Sequence, residues 1–563
     1  MRVVLLGPFG LRPKMTMARR ALPLARALAA RGHAVRVVLP PWDCPQDSGR
    51  TWQEGAVQVL NVRLPPRLPL LGHLWLTARL LRAALRFRPH VIHCFKPKAY
   101  AGLAAAVLWA MQRLHLWRGR LIVDADDWEG WGGWNEIAGT SWAQRHFFAW
   151  QEQWGLRHCD AVTVASRWLE QRVTEMRGGS GDVWVVPNGV EQRSRGAGER
   201  GGRGAVLLYT RFVEFTPERA VDIWRRVVEF LSRGAEGQRG RGAEEQRSRG
   251  ARENAPQHPS TSAPLHPCTS ARLWVVGEGL RGEEESLPRL LAEAGLDDTV
   301  DIIGWVEPED LPPLFAAADV AMMPVDDTIL NRAKCPARLL DLLAAGVPVV
   351  AEAVGEVAEI VEDGVSGVLV PSGQEAAFAA AVVSLLQDAD LRRRMGEAAQ
   401  RRVRTAFAWD RLAETVEAAY LQCPISNTQY PISTLQNWLP PLLWMGLIFL
   451  LSSQSKLPIP RRPLADQLWQ IGGHVVLFGV LWALLWRAMT RTWSQRRVMG
   501  WAFLVGLLYA VSDEVHQAFV PGRHATPLDV AADVVGLLLA MGLIAWRQRR
   551  QKKKPVFSKK TGF

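Results

Sequence analysis

From Trp438 onward the apolar residues gather into long runs broken by short polar stretches, and this is the strongest constraint on what the chain can become. Four such segments can be drawn, at 438–451, 468–489, 498–519 and 527–546. A helix needs about 20 mostly apolar residues to cross a bilayer, so the last three are long enough and the first must borrow from its flanks. Four apolar segments in succession with basic ends predict an all-α, four-helix transmembrane domain over 438–546. Arg487 at the end of the second segment and Arg491, Arg496 and Arg497 in the loop after it, with the tail, favour the cytoplasmic side; Lys456, Arg461 and Arg462 pull the other way. The expectation is a multi-pass inner-membrane protein of bacterial type with its preceding soluble part in the cytoplasm.

That soluble part needs more than one core, because 563 residues predict about three to five structural units at roughly 100 to 200 residues each. Residues 2–6 (RVVLL) read as a buried strand, 17–31 as a helix ending at Gly32, and 34–39 as a second strand. The alternation continues through strands at 91–94, 121–124 and 161–164, and a second series begins at 206–209 and runs to 348–351. Strands alternating with helices imply parallel, doubly wound sheets, so the soluble fold class is α/β with two Rossmann-like domains and a cleft between them.

Low-complexity segments interrupt the series. EQRSRGA occurs at 191–197 and again at 245–251, and a Pro/Ser/Thr/His tract follows at 255–270. Such composition buries too little apolar surface to order itself. The domains expected are therefore 1–190, a linker at 191–204, a second domain at 205–420 carrying a disordered insertion at 233–270, a linker at 421–437, the membrane domain at 438–546 and a basic cytoplasmic tail at 547–563.

The formal charge of +13 owes much to that tail, where eight Lys and Arg follow residue 546 without an acid. Beside a membrane helix such a cluster favours anionic headgroups. No aromatic-interleaved basic motif or zinc spacing supports nucleic acid as a partner. The six cysteines, Cys44, Cys94, Cys159, Cys268, Cys335 and Cys423, are scattered without a CxxC pair, as in a reducing compartment. MRVVLLGPFG is a short strand running into a glycine loop, with none of the features of a secretory signal.

The motifs GPFG, ARALAARGHAVRVV, DAVTVASRWL, VWVVPNGV, LWVVGEG, DIIGWV, LFAAADVAMMP and RLLDLLAAGVPVVA follow one another in an order that resembles glycosyltransferase family 4, of the GT-B fold, over residues 1–420. The resemblance implies a retaining sugar transfer from a nucleotide sugar, with that donor as substrate, no cofactor and no metal. Transfer must stabilise a diphosphate leaving group, which calls for cations or converging N–H groups. In family terms Arg211 and Arg219 are the phosphate candidates, and Asp341 stands where the second Glu of a Glu-x7-Glu motif binds the ribose. The first Glu is missing: that position is Ala333. Lys334 and Arg338 reinforce the positive N-terminus of the helix expected at 337–345. Gly355 and Glu356 follow the next strand, where a loop can meet sugar and phosphates.

On the acceptor side Gly10 permits close backbone approach and Lys14 is a candidate cation. His93 and the acids Asp124, Asp126 and Asp127 end predicted strands, where ligands of open α/β sheets bind; His93 and Asp126 are the candidate catalytic residues. A hydrogen-bonded core histidine is the competing reading of His93. Trp128, Trp131 and Trp134 could stack on a sugar or lipid, or simply pack.

FLLSSQS, GGHVVLFG and YAVSDEVHQAFVPGRHATPLDVAADVVG resemble the VanZ-like membrane family, which is linked by name to glycopeptide antibiotic resistance. Polar and ionisable groups within membrane spans are expensive and so are candidates for function. Here they are His474, Asp513, Glu514, His516, Gln517, Arg523 and Asp529, all expected on the extracytoplasmic side. They could bind a metal or a lipid phosphate, or pair with one another, as Arg523 with Asp513 or Asp529; none is assigned as a metal ligand. The function expected is transfer of a sugar to a membrane lipid or lipid-linked glycan at the inner membrane face. The alternative is a VanZ-like binding or resistance module whose soluble half is a degenerate nucleotide-sugar sensor.

Overall fold

The computed structural model describes residues 1–12, 15–65, 71–137, 139–179, 181–191, 204–249, 271–422, 433–453, 463–490, 498–518 and 527–552. The chain divides into two compact units, Met1–Ser426 and Asn427–Phe563.

The first unit contains two sheets. One is built from β1 (Arg2–Leu6), β2 (Ala34–Leu39), β3 (Thr51–Glu54), β4 (Val57–Asn61), β5 (Val91–Phe95), β6 (Arg120–Ala125), β7 (Ala161–Val164) and β8 (Val183–Val185). Their spatial order is β3-β4-β2-β1-β5-β6-β7-β8, parallel except for the β3–β4 pair. Val3 to Leu6 and Val91 to Phe95 are wholly buried, the continuous apolar run expected of strands covered on both faces. The second sheet holds β9 (Ala205–Tyr209), β10 (Arg272–Val276), β11 (Val300–Gly304), β12 (Val320–Met323), β13 (Val349–Glu352) and β14 (Val368–Val370), all parallel in the order β11-β10-β9-β12-β13-β14. Strand order reverses at β1/β5 and at β9/β12, and crevices that hold ligands open beyond the carboxyl ends of strands at such points.

Two elements depart from the sequence expectation. The helix Trp409–Gln422, which follows the second sheet in the chain, packs on the first: Trp409, Leu412, Ala413, Val416 and Tyr420 are buried with Val3, Leu5, Leu24 and Leu28. The segment from 233 was expected to be disordered, yet the helix Pro217–Arg249 runs on through it, residues 250–270 lying outside the described residues. Its Ala, Glu, Gln and Arg residues are good helix formers, and they outweigh the scattered glycines.

The second unit is described as four helices, Ser433–Ser452, Pro463–Thr490, Val498–Ala518 and Pro527–Lys552. Three contain stretches long and apolar enough to cross a membrane, Ile471–Thr490, Val498–Gln517 and Leu528–Trp546; the apolar stretch of the first, Asn437–Ser452, is shorter. The last helix carries the basic tail's start, continuing to Lys552. Phe478, Leu481, Trp482, Leu485, Ala510 and Leu537 form its core. Gly536 is essential to the packing of the second helix on the fourth, because a Cβ there would stand 2.3 Å from the Val475 carbonyl oxygen.

Candidate active site

Beyond β9 the chain turns at Thr210, reaches exposed Arg211, and passes through Phe212 in the left-handed region (φ 51°) to buried Glu214. Glu214 Oε1 accepts from Lys334 Nζ at 2.7 Å and from Arg338 Nη2 at 2.5 Å. Burial alone would push the Glu214 carboxyl up, but Arg338 and Lys334 outweigh it and hold it at about 2. Although its side chain reaches solvent, Arg211 has its pKa lowered by partial desolvation among its neighbours and then by the nearby charge of Arg338. Three cations therefore converge around one carboxylate at the N-terminus of the helix Ala337–Ala344, where the peptide N–H groups add further positive potential. Such a surplus of positive charge suits a diphosphate.

The adjoining cleft, of about 700 Å³, takes its walls from both sheets' domains, among them Arg19, Asn188, Glu191, Ala337, Asp341 and Trp409. Asp341 receives both Nη1 and Nη2 of Arg19 at 3.2 Å. Further contacts lock the two halves beside it. Asn188 Nδ2 donates to the Cys335 carbonyl at 2.7 Å and the Ser166 hydroxyl to the Ala333 carbonyl at 2.6 Å.

Ala333 explains the missing Glu. Its side chain is fully buried in the apolar cluster of the first sheet with Ala125, Trp128, Val164 and Leu169, where a carboxylate would be cut off from water.

Arg219 does not face open space as expected of a phosphate ligand. Its guanidinium is held by Asp326 at 2.5 Å, by Glu375 at 3.1 Å and by fully buried Glu352. Glu352 in turn accepts from the Val325 and Gly373 N–H groups at 2.7 and 2.8 Å. Arg219 thus ties the ends of β12 and β13 to the helix Glu375–Gln387.

Gly355 stands at φ 54°, and a Cβ there would meet the Arg332 backbone at 2.7 Å, so the close approach requires glycine. Glu356 reaches across to the first half, its Oε2 accepting the Arg167 N–H at 2.8 Å at the start of the helix Arg167–Met176. Burial lifts its carboxyl to about 7 despite that bond.

On the first half, His93 is a core histidine, and its assignment as catalytic is corrected. It is fully buried, with Nδ1 2.8 Å from the Tyr420 hydroxyl and Nε2 3.0 Å from the Thr163 hydroxyl. Burial lowers its pKa to about 4, the Asp124 charge offsetting this only in part. Asp124 is likewise internal, gripped by Arg20 through two bonds of 2.8 and 2.7 Å.

Asp126 and Asp127 surround a lysine that no motif marks out. Lys96 sits just past β5 with φ 51°, buried, its ammonium 3.2 Å from Asp126, 2.8 Å from Asp127 and 3.3 Å from Glu129. Burial would lower its pKa, but the three carboxylates together hold it charged. Burial is also the main influence on Asp126, pushing its carboxyl up, with Lys96 opposing. A non-glycine residue in the left-handed region beside a switch point is the strained geometry that functional loops carry.

Of the tryptophans, Trp128 is buried and Trp131 is 52% exposed. Gly10 donates its N–H to Asp43 Oδ1 at 3.1 Å, and its Cβ position lies 3.2 Å from that oxygen, so the loop is closed by Asp43. Lys14 lies outside the described residues.

In the second unit the polar residues form two groups rather than one. Asp513 accepts from the Ser452 hydroxyl at 2.6 Å and from Gln517 at 2.9 Å; Arg523, expected to pair with Asp513 or Asp529, lies outside the described residues. His516 lies 3.0 Å from the Ser453 hydroxyl and stacks on Phe449. His474 Nδ1 is 2.8 Å from Oδ1 of Asp533, a residue absent from the sequence expectation, and Glu514 joins this pair. Asp529 precedes Asp533 by one turn and is half-buried.

Comparison with known proteins follows this division. Residues 16–189 match the model of the glycosyl transferase 4-like domain, residues 261–388 that of glycosyl transferases group 1, and residues 438–548 that of VanZ/LLP1. The chain is similar to the D-inositol 3-phosphate glycosyltransferase of Geodermatophilus obscurus, 37% identical over 144 residues, which are 26% of this chain and 30% of that protein. The protein of the same description from Streptomyces coelicolor is 36% identical over 144 residues, with the same shares. The chain thus spans about three tenths of the length of these curated relatives. Among solved structures, sucrose-phosphate synthase from Thermosynechococcus elongatus superposes with a TM-score of 0.53 at 18% identity, over 75% of this chain and 98% of that one. The chain therefore carries glycosyltransferase-family domains in a GT-B arrangement and a VanZ/LLP1 domain, and its apolar helices make it membrane-associated.

Proposed function

We propose that this chain, a GT-B glycosyltransferase unit joined to a VanZ/LLP1 membrane unit, moves a sugar from a nucleotide donor to a membrane lipid or lipid-linked glycan. The observation that carries the reading is the cationic group of Arg211, Lys334 and Arg338, set around Glu214 at a helix N-terminus and beside a cleft between the two halves. In the reaction the bond from the sugar's anomeric carbon to the diphosphate breaks and a bond to an acceptor oxygen forms on the same face. The leaving diphosphate oxygen takes the acceptor's proton, and the three cations stabilise the charge that accumulates there. Glu214 positions Lys334 and Arg338, and Asp341 receives the ribose hydroxyls once Arg19 releases it.

The relatives' description, glycosyl transfer involving D-inositol 3-phosphate, supports this chemistry through the shared 144 residues. The acceptor reading rests instead on the membrane helices. We place the chain in the inner membrane by several spans with the soluble unit cytoplasmic, on the distribution of Lys and Arg around its apolar segments.

Purified full-length protein in lipid nanodiscs, supplied with a panel of nucleotide sugars, should release nucleoside diphosphate with at least one of them. Arg211→Ala should reduce that release by about 100-fold, the scale of losing one preorganised donor. Nucleotide binding without turnover across the panel would overturn the enzyme reading and leave a sensor.

A further inference from the structure

Glu514 lies inside the helical bundle at 7% exposure, and neither of its carboxylate oxygens has a hydrogen-bond partner among the described residues. Asp533 is fully buried; its Oδ1 meets His474 Nδ1, while its Oδ2 has no hydrogen-bond partner there either. The three residues come from three different helices, and each offers a ligand atom within 4.8 Å of the others. Close packing at Gly536 puts Asp533, one turn earlier on its helix, against His474, one residue before the Val475 carbonyl that Gly536 touches.

Two buried carboxylates side by side need a counter-charge, since an unpaired buried charge is among the costliest features a protein can carry. Among the described residues no lysine or arginine forms an ion pair with either of them. An imidazole and two carboxylates are the donor set of first-row divalent cations, softer than an all-oxygen site and harder than a thiolate one.

We propose that His474, Glu514 and Asp533 form a site for one divalent cation of the Zn²⁺ or Mn²⁺ class. Metal–ligand bonds of about 2.0 to 2.2 Å place ligand atoms no more than about 4.4 Å apart, so closure from 4.8 Å needs only side-chain adjustment. The ion's two positive charges neutralise both carboxylates. With three protein ligands the remaining coordination positions stay open to water or to an anionic oxygen.

The test uses the full chain in detergent, stripped with a chelator and titrated with Co²⁺ as a visible reporter. The expected result is saturable binding of about one ion per chain, with ligand-field absorption that Zn²⁺ abolishes by competition and a thermal midpoint that rises on metal addition. E514Q and D533N should each weaken binding by at least tenfold, the upper range of losses seen even for outer-shell partners being 10–100-fold. Absence of saturable Co²⁺, Mn²⁺ or Zn²⁺ binding by the unaltered protein would overturn the proposal, and that measurement does not depend on any variant folding. Binding unchanged in the E514Q/D533N double variant would overturn it too. So would a metal-free protein that loses its stability on Arg523→Gln, which would assign the counter-charge to that arginine.

Discussion

Arg19 and Asp341 meet across the cleft of the soluble unit, the guanidinium Nη1 and Nη2 each 3.2 Å from a different carboxylate oxygen. One residue follows the first strand of the first sheet and the other lies in the helix beside the cations of the second, so the pair is a clasp between halves. Burial raises the Asp341 pKa, and Arg19 opposes that most strongly by its charge. On the role proposed for Asp341 as ribose acceptor, Arg19 competes with the nucleotide for it. Arg19→Ala is expected to lower the nucleoside diphosphate Kd about threefold, and Asp341→Ala to raise it about tenfold, since a hydrogen bond to a charged group contributes about 1.5 kcal/mol or more. Isothermal titration of the full chain measures both; weaker binding by the Arg19 variant would make Arg19 a ligand contact instead.

Glu214 makes stability depend on acid. Its folded pKa of about 2 lies below the ordinary value of about 4.3 for an unfolded glutamate, so the unfolded chain binds protons first as pH falls. The stabilisation, about 3 kcal/mol at roughly 1.4 kcal/mol per unit, is fully present above pH of about 5 and disappears as pH falls toward 2. Glu214→Gln should therefore lower the thermal midpoint followed by tryptophan fluorescence at pH 7. The gap between variant and parent should shrink as pH is brought down through that window; a gap independent of pH would remove Glu214 as its source.

Ala333→Glu restores the motif's missing acid in the sequence but not in the structure. The side chain at 333 is buried in the first half's apolar cluster, so a carboxylate there is cut off from water. Destabilisation of about 3 kcal/mol or more is expected, with no gain in nucleotide affinity. A folded variant with tighter nucleotide binding would refute the packing explanation.

Gly536→Ala tests the close approach in the bundle. The added methyl would stand 2.3 Å from the Val475 carbonyl oxygen, so the second and fourth helices must separate. Overpacking of this kind costs about 1 to 3 kcal/mol. A lower thermal midpoint in detergent is expected, whereas Gly473→Ala, whose Cβ position has nothing within 4 Å, should leave it near the parent value.

The strands and their alternation with helices were legible because burial on both faces leaves an uninterrupted apolar run, as in VVLL of β1, whatever lies next to it. The same holds for the apolar segments of the membrane unit, whose length alone sets their character. The cations Lys334, Arg338 and Arg211 were legible through local motif context. Arg20 with Asp124, 104 positions apart, was not, nor was Tyr420 on His93 at a separation of 327.

Sequence by itself thus determined most element types, the helical stretch 233–249 excepted, and the two kinds of unit, since these depend on periodicity and on runs of neighbouring residues. Tertiary structure decided which charges have partners. It gave Arg219 to three carboxylates, buried His93 in the core, set Lys96 among Asp126, Asp127 and Glu129, and brought Asp533 from a fourth helix to His474. The reason is physical: the fate of an ionisable side chain depends on the desolvation and the counter-charges around it. Those are supplied by residues that only folding makes neighbours.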